Sequence, residues 1–279
     1  MNRFIRNEQL KSYREYLAEN EKSKNTVEKY LRDLRAFIRF ASGGSVDKLL
    51  VLRYKEHLSK TYAVSSANSM LAALNAFFRF AGWEDCRVKQ FKLQRPAYCP
   101  AEKELTKAEY IRLVKAAETA QNTRLRLIIE TICATGIRVS ELCHITVEAA
   151  QRGEANVRCK GKSRTVFLVK KLRRSLLLYA KQRGIMSGAI FLNGSGKPLD
   201  RTSVWKQMKR LSKRAKVRAG KIFPHNLRHL FARTFYAIKK DLAKLADVLG
   251  HTNINTTRIY VVTTGEEHRR LLERMQLIS

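Results

Sequence analysis

The stretch PHNLRHLFARTF, residues 224–235, has the pattern of an α-helix with one buried side. Proline suits the first turn of a helix, where its missing N–H has no partner to lose. Leucine and phenylalanine then recur at helical spacing and form an apolar face. His225 and Arg228 are three residues apart and share a face of the same helix. Together they suit a phosphate oxygen, although a histidine that only caps or packs locally gives the same pattern.

The first 82 residues repeat this helical pattern several times. Apolar residues at i, i+3, i+4 and i+7 run from Val27 to Ile38 and again from Ala67 to Ala81. Weaker patterns precede and separate these two runs. Residues 1–82 are therefore predicted to form a four-helix domain.

The periodicity fails over residues 83–104, where Pro96 and Pro100 flank a basic segment. We predict an interdomain linker here, with Lys92 and Arg95 facing DNA. A second domain, residues 105–279, then begins with Thr106 as a candidate helix N-cap.

Two short runs of β-prone residues, 155–159 and 164–169, interrupt the helices of the second domain. They predict a hairpin, and residues 189–192 predict a third strand. The remainder is helical, including a C-terminal helix over residues 266–278. The expected fold class is mainly α with a small β-hairpin or sheet.

Composition limits the partners of the chain. Lysine and arginine number 56 against 24 acidic residues, which gives a formal net charge of +32. This excess favours a polyanion. No apolar run approaches the roughly 20 residues that cross a bilayer, so a membrane partner is not expected. The five cysteines are odd in number and form no CxxC pair, which predicts a protein of the reducing cytoplasm without disulfides or a zinc site.

Four further positions in the second half carry chemistry-bearing residues beside a turn or a helix end. Arg138 follows a glycine break, a basic turn begins at Lys160, His251 follows Gly250, and Tyr260 lies on a predicted short helix. Each has an ordinary structural explanation when taken alone. Arginines are mostly surface residues, basic hairpin turns are common, and tyrosines usually belong to the core.

Five motifs occur together in one order: ATGIRVSEL, CKGK, PHNLRH, LGH and TTRIY. In order and separation they resemble the catalytic domain of the tyrosine recombinases, or phage integrases, from about residue 105 to the C terminus. The N-terminal helices are similar to the SAM-like core-binding domain of the short Xer-like members. His225 and His251 lie 26 residues apart, and Tyr260 follows His251 by nine.

The resemblance implies a role for each motif residue. Tyr260 is then the nucleophile, and a hairpin lysine is the general acid. Lys160 fits this role best, but Lys162 competes because the turn is about one residue shorter than in the family. The implied catalytic set is Arg138, Lys160, His225, Arg228, His251 and Tyr260. Two permanently protonated guanidiniums stabilise a phosphoryl transition state, so no metal ion or cofactor is expected.

The implied activity is site-specific recombination through a 3′-phosphotyrosyl intermediate and a four-way junction. It serves integration, excision, inversion or dimer resolution. We expect a tetramer on double-stranded DNA with short inverted-repeat core sites, made of this chain alone or with a paralogous recombinase. The alternatives are a DNA-relaxing enzyme of the type IB topoisomerase kind and a catalytically silent DNA-binding regulator.

A run of cations without any acid follows Asp200 and extends to Lys221. An unbalanced run beside the expected site favours phosphate binding over a merely solvated helix face. The expected DNA-binding residues here are Arg201, Lys206, Lys209, Arg210, Lys213 and Arg214.

Overall fold

The computed structural model describes residues 3–93, 101–159, 162–260, 269 and 273–275. The chain divides into two compact units, Met1–Arg95 and Pro96–Ser279. Both are built mainly from helices, as the sequence predicts. Within the described residues, no helix is long and apolar enough to cross a membrane.

The N-terminal unit contains the four predicted helices. Its apolar core is formed by the stripes that the sequence shows, with Leu34, Phe37 and Phe77 fully buried. Ser23 and Asp47 cap the second and third helices by accepting hydrogen bonds from backbone N–H groups. The helices are α1 (Asn7–Glu19), α2 (Lys24–Ala41), α3 (Lys48–Thr61) and α4 (Val64–Phe80).

The segment that follows α4 packs on the N-terminal unit. The Asn75 side chain exchanges hydrogen bonds of 2.8 and 3.0 Å with the backbone of Val88. Asn68 does the same with Phe91 at 2.9 and 2.8 Å. The expected linker of residues 83–104 is thus bound to the helical unit over its first part. Lys92 is exposed, and Arg95 lies outside the described residues.

The second unit is built around a central helix, Thr123–Thr135, which packs against the helices Lys107–Thr119, Lys170–Gln182 and Pro224–Lys239. The predicted N-cap is confirmed, because the Thr106 hydroxyl accepts from the Glu109 N–H at 3.1 Å, and the Glu109 carboxylate accepts from the Thr106 N–H at 2.8 Å. The helices are α5 (Lys107–Thr119), α6 (Thr123–Thr135), α7 (Val147–Arg152), α8 (Lys170–Gln182), α9 (Arg201–Arg210), α10 (Ser212–Ala215), α11 (Pro224–Lys239), α12 (Leu242–Leu249) and α13 (Ile254–Arg258).

The predicted hairpin is confirmed. Strands β1 (Glu154–Cys159) and β2 (Lys162–Phe167) pair antiparallel, with Cys159 opposite Lys162. Residues 160 and 161, at its turn, lie outside the described residues.

The prediction of a third strand over residues 189–192 is wrong. Ala189 and Leu192 form only isolated bridges, to Thr146 and Pro198. Proline has no N–H to extend a ladder, and the Asn193 side chain closes a tight turn directly after this segment.

Of the expected C-terminal helix, residues 269 and 273–275 are described, and they are helical. The other residues of 266–278 lie outside the described part of the chain.

Candidate active site

Arg138 is presented by a turn that requires glycine. Helix α6 ends at Gly136, whose φ is +66°, and a Cβ atom there would lie 2.4 Å from the Phe231 ring of α11. The chain then enters a short 3-10 helix, Val139–His144, with Arg138 at its N-cap. The glycine break therefore serves close packing between α6 and α11, and it places the arginine directly after that contact.

Glu141 holds Arg138 in place and is itself 2% exposed. Its carboxylate accepts from the Arg138 backbone at 2.7 Å and from Arg138 Nη1 at 2.9 Å. Arg164 of β2 adds two more hydrogen bonds, at 3.1 and 2.8 Å. Four donors thus fill the lone-pair directions of one carboxylate.

The charge of Glu141 is fixed by these donors. Burial raises the pKa of the carboxyl, but the hydrogen bonds from Arg164 and the Arg138 backbone outweigh burial and lower it to about 2. Glu141 is therefore ionised at neutral pH and compensates two guanidiniums.

Arg228 on α11 is only 1% exposed. It donates to the carbonyl of Gly136 at 2.6 Å and to the carbonyl of Leu249 at 2.8 Å, so it ties the end of α6 to the end of α12. A third hydrogen bond, from Nη2, reaches His251 Nε2 at 2.8 Å. The buried Nε has no hydrogen-bond partner among the described residues.

The hydrogen bonds of His251 determine its tautomer. A guanidinium only donates, so Nε2 of His251 accepts from Arg228 and carries no proton. Nδ1, at 2.8 Å from the Thr257 hydroxyl, holds the proton and donates it there. Burial, followed by the charges of Arg228 and Arg138, lowers the pKa of His251 to about 4, so the ring is neutral at pH 7.

Tyr260 lies beside the histidines of α11. Its hydroxyl is 3.3 Å from His225 Nε2, and its ring centroid is 4.3 Å from that of His229 and 5.3 Å from that of His251. The prediction that Tyr260 lies on a short helix is wrong. Helix α13 ends at Arg258, and Tyr260 sits in the turn that follows, with its N–H bonded to the Thr257 carbonyl.

Histidines 225 and 229 are both held in the neutral form. Burial of the ring, then the charges of Arg228 and Arg138, lower the pKa of His225. Burial and the neighbouring His225 lower the pKa of His229 to about 4. A neutral His225 has one ring nitrogen that can accept a proton from the Tyr260 hydroxyl.

A pocket of about 560 Å³ opens in front of these residues. Arg138, His225 and Arg228 line it on one side, and Arg201 and Trp205 of α9 line it on another. Three segments that are far apart in sequence thus meet at one concave, cationic surface.

Four other cations of the predicted basic run line a second groove, of about 940 Å³, on another face of α9. Lys209 belongs to neither pocket; its ammonium group lies 5.4 Å from the centre of the Trp205 ring and bonds to the Ala219 carbonyl. The cationic residues of the second groove are Arg124, Lys206, Arg210, Lys213 and Arg214.

The structure brings together Arg138, His225, Arg228, His251 and Tyr260, but it does not describe Lys160. Of Lys162 only the backbone is described, at the start of β2.

Sequence reasoning missed Glu141, Arg164 and His229. Glu141 lies three residues after Arg138 and His229 four after His225, spacings that a helical turn brings together. Arg164 has no such local signal, because its partner Glu141 is 23 residues away in sequence.

Two family models match the chain. The phage integrase family matches residues 103–267, and the phage integrase N-terminal SAM-like domain matches residues 10–85. Similar curated proteins include tyrosine recombinase XerA of Thermococcus kodakarensis, 30% identical over 98% of this chain and 97% of that protein. XerA of Pyrococcus furiosus is also 30% identical, over 99% of this chain and 96% of its own length.

Solved structures show the same fold. XerH site-specific recombinase bound to its difH substrate gives a TM-score of 0.71 at 20% identity, covering 95% of this chain and 84% of that one. A lambda integrase tetramer bound to a Holliday junction gives 0.73 at 20% identity, covering 93% of this chain and 77% of that one.

The two family models cover both units. Of the motif residues, Arg138, His225 and Arg228 line one cationic pocket, and His251 and Tyr260 lie within hydrogen-bonding distance of Arg228 and His225, respectively. The chain is a member of the phage integrase family, and it is a tyrosine recombinase.

Proposed function

We propose that Tyr260 is the nucleophile of this recombinase and that it forms a 3′-phosphotyrosyl bond with DNA. The observation that carries the proposal is the Tyr260 hydroxyl at 3.3 Å from His225 Nε2, beside a pocket lined by Arg138 and Arg228. In the reaction the tyrosine oxygen attacks the phosphorus, and the bond from phosphorus to the 5′ oxygen breaks. Reversal by the 5′ hydroxyl of another strand completes the exchange, because the phosphodiester energy is kept.

Arg138 and Arg228 would stabilise the negative charge that grows on the phosphate oxygens. Arg228 is already held by two carbonyls and His251, so its position needs no rearrangement to receive charge. Its buried Nε lacks a partner among the described residues, and buried orphan donors are rare in folded proteins.

Two proton transfers accompany the attack. A phenol ionises near pH 10, so Tyr260 must lose its proton as it attacks, and neutral His225 would accept it. The departing 5′ oxygen must gain a proton. We assign this step to Lys160, with Lys162 as the competing residue.

We further propose that the protein acts as a tetramer on duplex DNA with short inverted-repeat core sites. Two duplexes cut at two positions each require four nucleophiles. The cationic face of α9 and α10 supports a long phosphate contact, since Lys206, Arg210 and Lys213 line one groove.

The test begins with a pool of nicked duplexes whose arms carry inverted copies of a randomised segment. Cleavage next to the nick releases a short fragment that diffuses away, so the covalent complex accumulates. Complexes that survive denaturing detergent are collected, and their DNA is sequenced. We expect a recovered inverted-repeat sequence, with the protein on a 3′ phosphate and a free 5′ hydroxyl on the released fragment.

Binding of the pool without any detergent-stable complex would contradict the proposal, as would attachment of the protein to a 5′ phosphate. The Tyr260→Phe variant is the matched control, because it lacks only the attacking oxygen.

A further inference from the structure

Arg164 connects the hairpin to the rest of the proposed site. It lies on β2, opposite Val157, and its side chain is 12% exposed. Its two terminal nitrogens donate to the two oxygens of Glu141, at 3.1 and 2.8 Å. This paired geometry fixes both the distance and the orientation of the strand relative to the carboxylate.

The stem of Arg164 also packs against the turn that precedes His251. A Cβ atom placed on Gly250 would lie 2.9 Å from Arg164 Cδ, and the φ of Gly250 is +66°. Glycine is therefore required here both for backbone conformation and for the approach of the arginine.

Three elements of the site thus meet at one side chain. Glu141 bonds to Arg138, Gly250 precedes His251, and β2 begins two residues before Arg164, directly after the hairpin turn. A two-stranded hairpin is only marginally stable without further packing. The buried pair of Arg164 and Glu141 supplies a fixed attachment for it.

We propose that Arg164 is a positioning residue for general-acid catalysis: it fixes strand β2, which follows the proposed acid Lys160 by two residues in the sequence, against Glu141. This inference rests on the proposed function, in which a hairpin lysine protonates that oxygen. Arg164 acts through the lysine and through Glu141, without touching the reacting atoms.

The chemistry allows a selective test. When the 5′ oxygen at the cleaved bond is replaced by sulfur, the leaving thiolate needs no proton. The Arg164→Lys variant keeps the charge but loses the two-pronged contact. We expect it to cleave the ordinary duplex at least about tenfold more slowly, because the variant loses part of the roughly 10²- to 10⁴-fold that a general acid contributes. On the sulfur-substituted duplex it should cleave within about threefold of the unchanged protein, because the lysine is no longer needed.

Two control variants separate a loss of general-acid catalysis from other causes of slow cleavage. Arg158→Lys changes an exposed arginine of β1 and should cleave both duplexes at the normal rate. Arg138→Ala should be slow on both, because sulfur substitution does not replace transition-state stabilisation. If Arg164→Lys unfolds at a lower temperature than the cleavage assay allows, Arg164→Gln takes its place, because it leaves Glu141 and the hydrogen bonds of Glu141 to Arg138 unchanged.

Equal slowing of Arg164→Lys on both duplexes would overturn the inference, and so would normal cleavage of the ordinary duplex. If the unchanged protein forms no covalent complex at all, the proposed function fails, which is a separate result.

Discussion

At the scale of single residues, the site depends on compensation between one buried acid and several cations. Glu141 is enclosed by Arg138 and Arg164, and its pKa is lowered to about 2 from an ordinary value of 4.5. Because the folded-state pKa is depressed, the resulting stabilisation is fully present above the unfolded value. It is lost as pH falls from about 5 to about 2.

Replacement of Glu141 by glutamine should therefore lower the free energy of unfolding at pH 7 by about 3 kcal/mol. The deficit should shrink as the pH is lowered toward 2, because the unchanged protein then loses the same interaction. Chemical denaturation at several pH values measures both effects.

Glu130→Gln is the matched control, since Glu130 forms a more exposed ion pair with Arg126 at 3.0 Å. This substitution should lower the free energy of unfolding by less than about 1 kcal/mol. A Glu141 deficit that does not change with pH would contradict this account of the carboxylate.

The sequence indicates those residues whose partners are near in the chain or whose motif is distinctive. Arg138, His225 and Arg228 fall into this group. Arg164 does not, because the register of the hairpin decides that it meets Glu141. His229 escapes prediction for another reason: the turn after α13, rather than a helix, brings the Tyr260 ring against it.

At the scale of elements, the hairpin carries two lysines that compete for the role of general acid. Lys160 and Lys162 flank Gly161, and both are near the tip of the hairpin in sequence. A general acid is recognised by rescue with a sulfur leaving group, which removes the need for a proton.

We expect Lys160→Ala to lose cleavage of ordinary duplex by about a hundredfold or more and to recover most of it on the sulfur-substituted duplex. Lys162→Ala should cleave both the ordinary and the sulfur-substituted duplex at rates similar to those of the unchanged protein. The reverse pattern would assign the proton transfer to Lys162. Quenched time courses on the selected duplex measure all four rates.

Helix α9 separates two cationic surfaces that have different expected tasks. Arg201 and Trp205 face the pocket of the proposed site, whereas Lys206 and Arg210 line the second groove with residues of α10. Contacts to phosphates that are not cleaved affect binding and its salt dependence, and leave the chemical step unchanged.

A variant with glutamine in place of four cations of the second groove should bind duplex DNA more weakly. The four are Lys206, Arg210, Lys213 and Arg214. The slope of log affinity against log salt concentration should become shallower by about 0.9 for each phosphate that the variant no longer neutralises. The cleavage rate of saturated complex should stay near normal. The charge-matched control replaces four exposed cations of α8 by glutamine. They are Lys170, Lys171, Arg174 and Lys181. Equal changes in salt dependence for both sets would contradict a specific phosphate contact at the groove.

Elements with strong periodicity could be predicted from the sequence, including α2 and α4 of the N-terminal unit and α11. The segment 189–192 resembles a strand because its residues are β-prone, although its neighbours supply a tight turn and a proline in place of a ladder partner. Propensity alone does not provide hydrogen-bonding partners.

At the scale of the whole molecule, the proposed tetramer requires several protomers to act together. A segment beyond Tyr260 with apolar residues at helical spacing, Leu271, Leu272, Met275 and Ile278, suits a contact between protomers. The same pattern would also suit a helix that packs on its own domain.

Truncation after Thr264 should leave binding to a single half-site nearly intact and weaken cooperative occupancy of the full site. Native gel shifts on half and full sites measure the two affinities. A stable truncated protein with unchanged cooperativity would show that the segment packs within its own protomer.

Identification of the residue that carries the DNA shows directly whether Tyr260 is the nucleophile. The detergent-stable complex is digested with protease and nuclease, and the modified peptide is sequenced by mass spectrometry. The account predicts a nucleotide 3′ phosphate on Tyr260, no adduct with Tyr260→Phe, and duplex binding by that variant within about threefold, because binding rests on many phosphate contacts. An adduct on Tyr236, or one that persists in Tyr260→Phe, would contradict it.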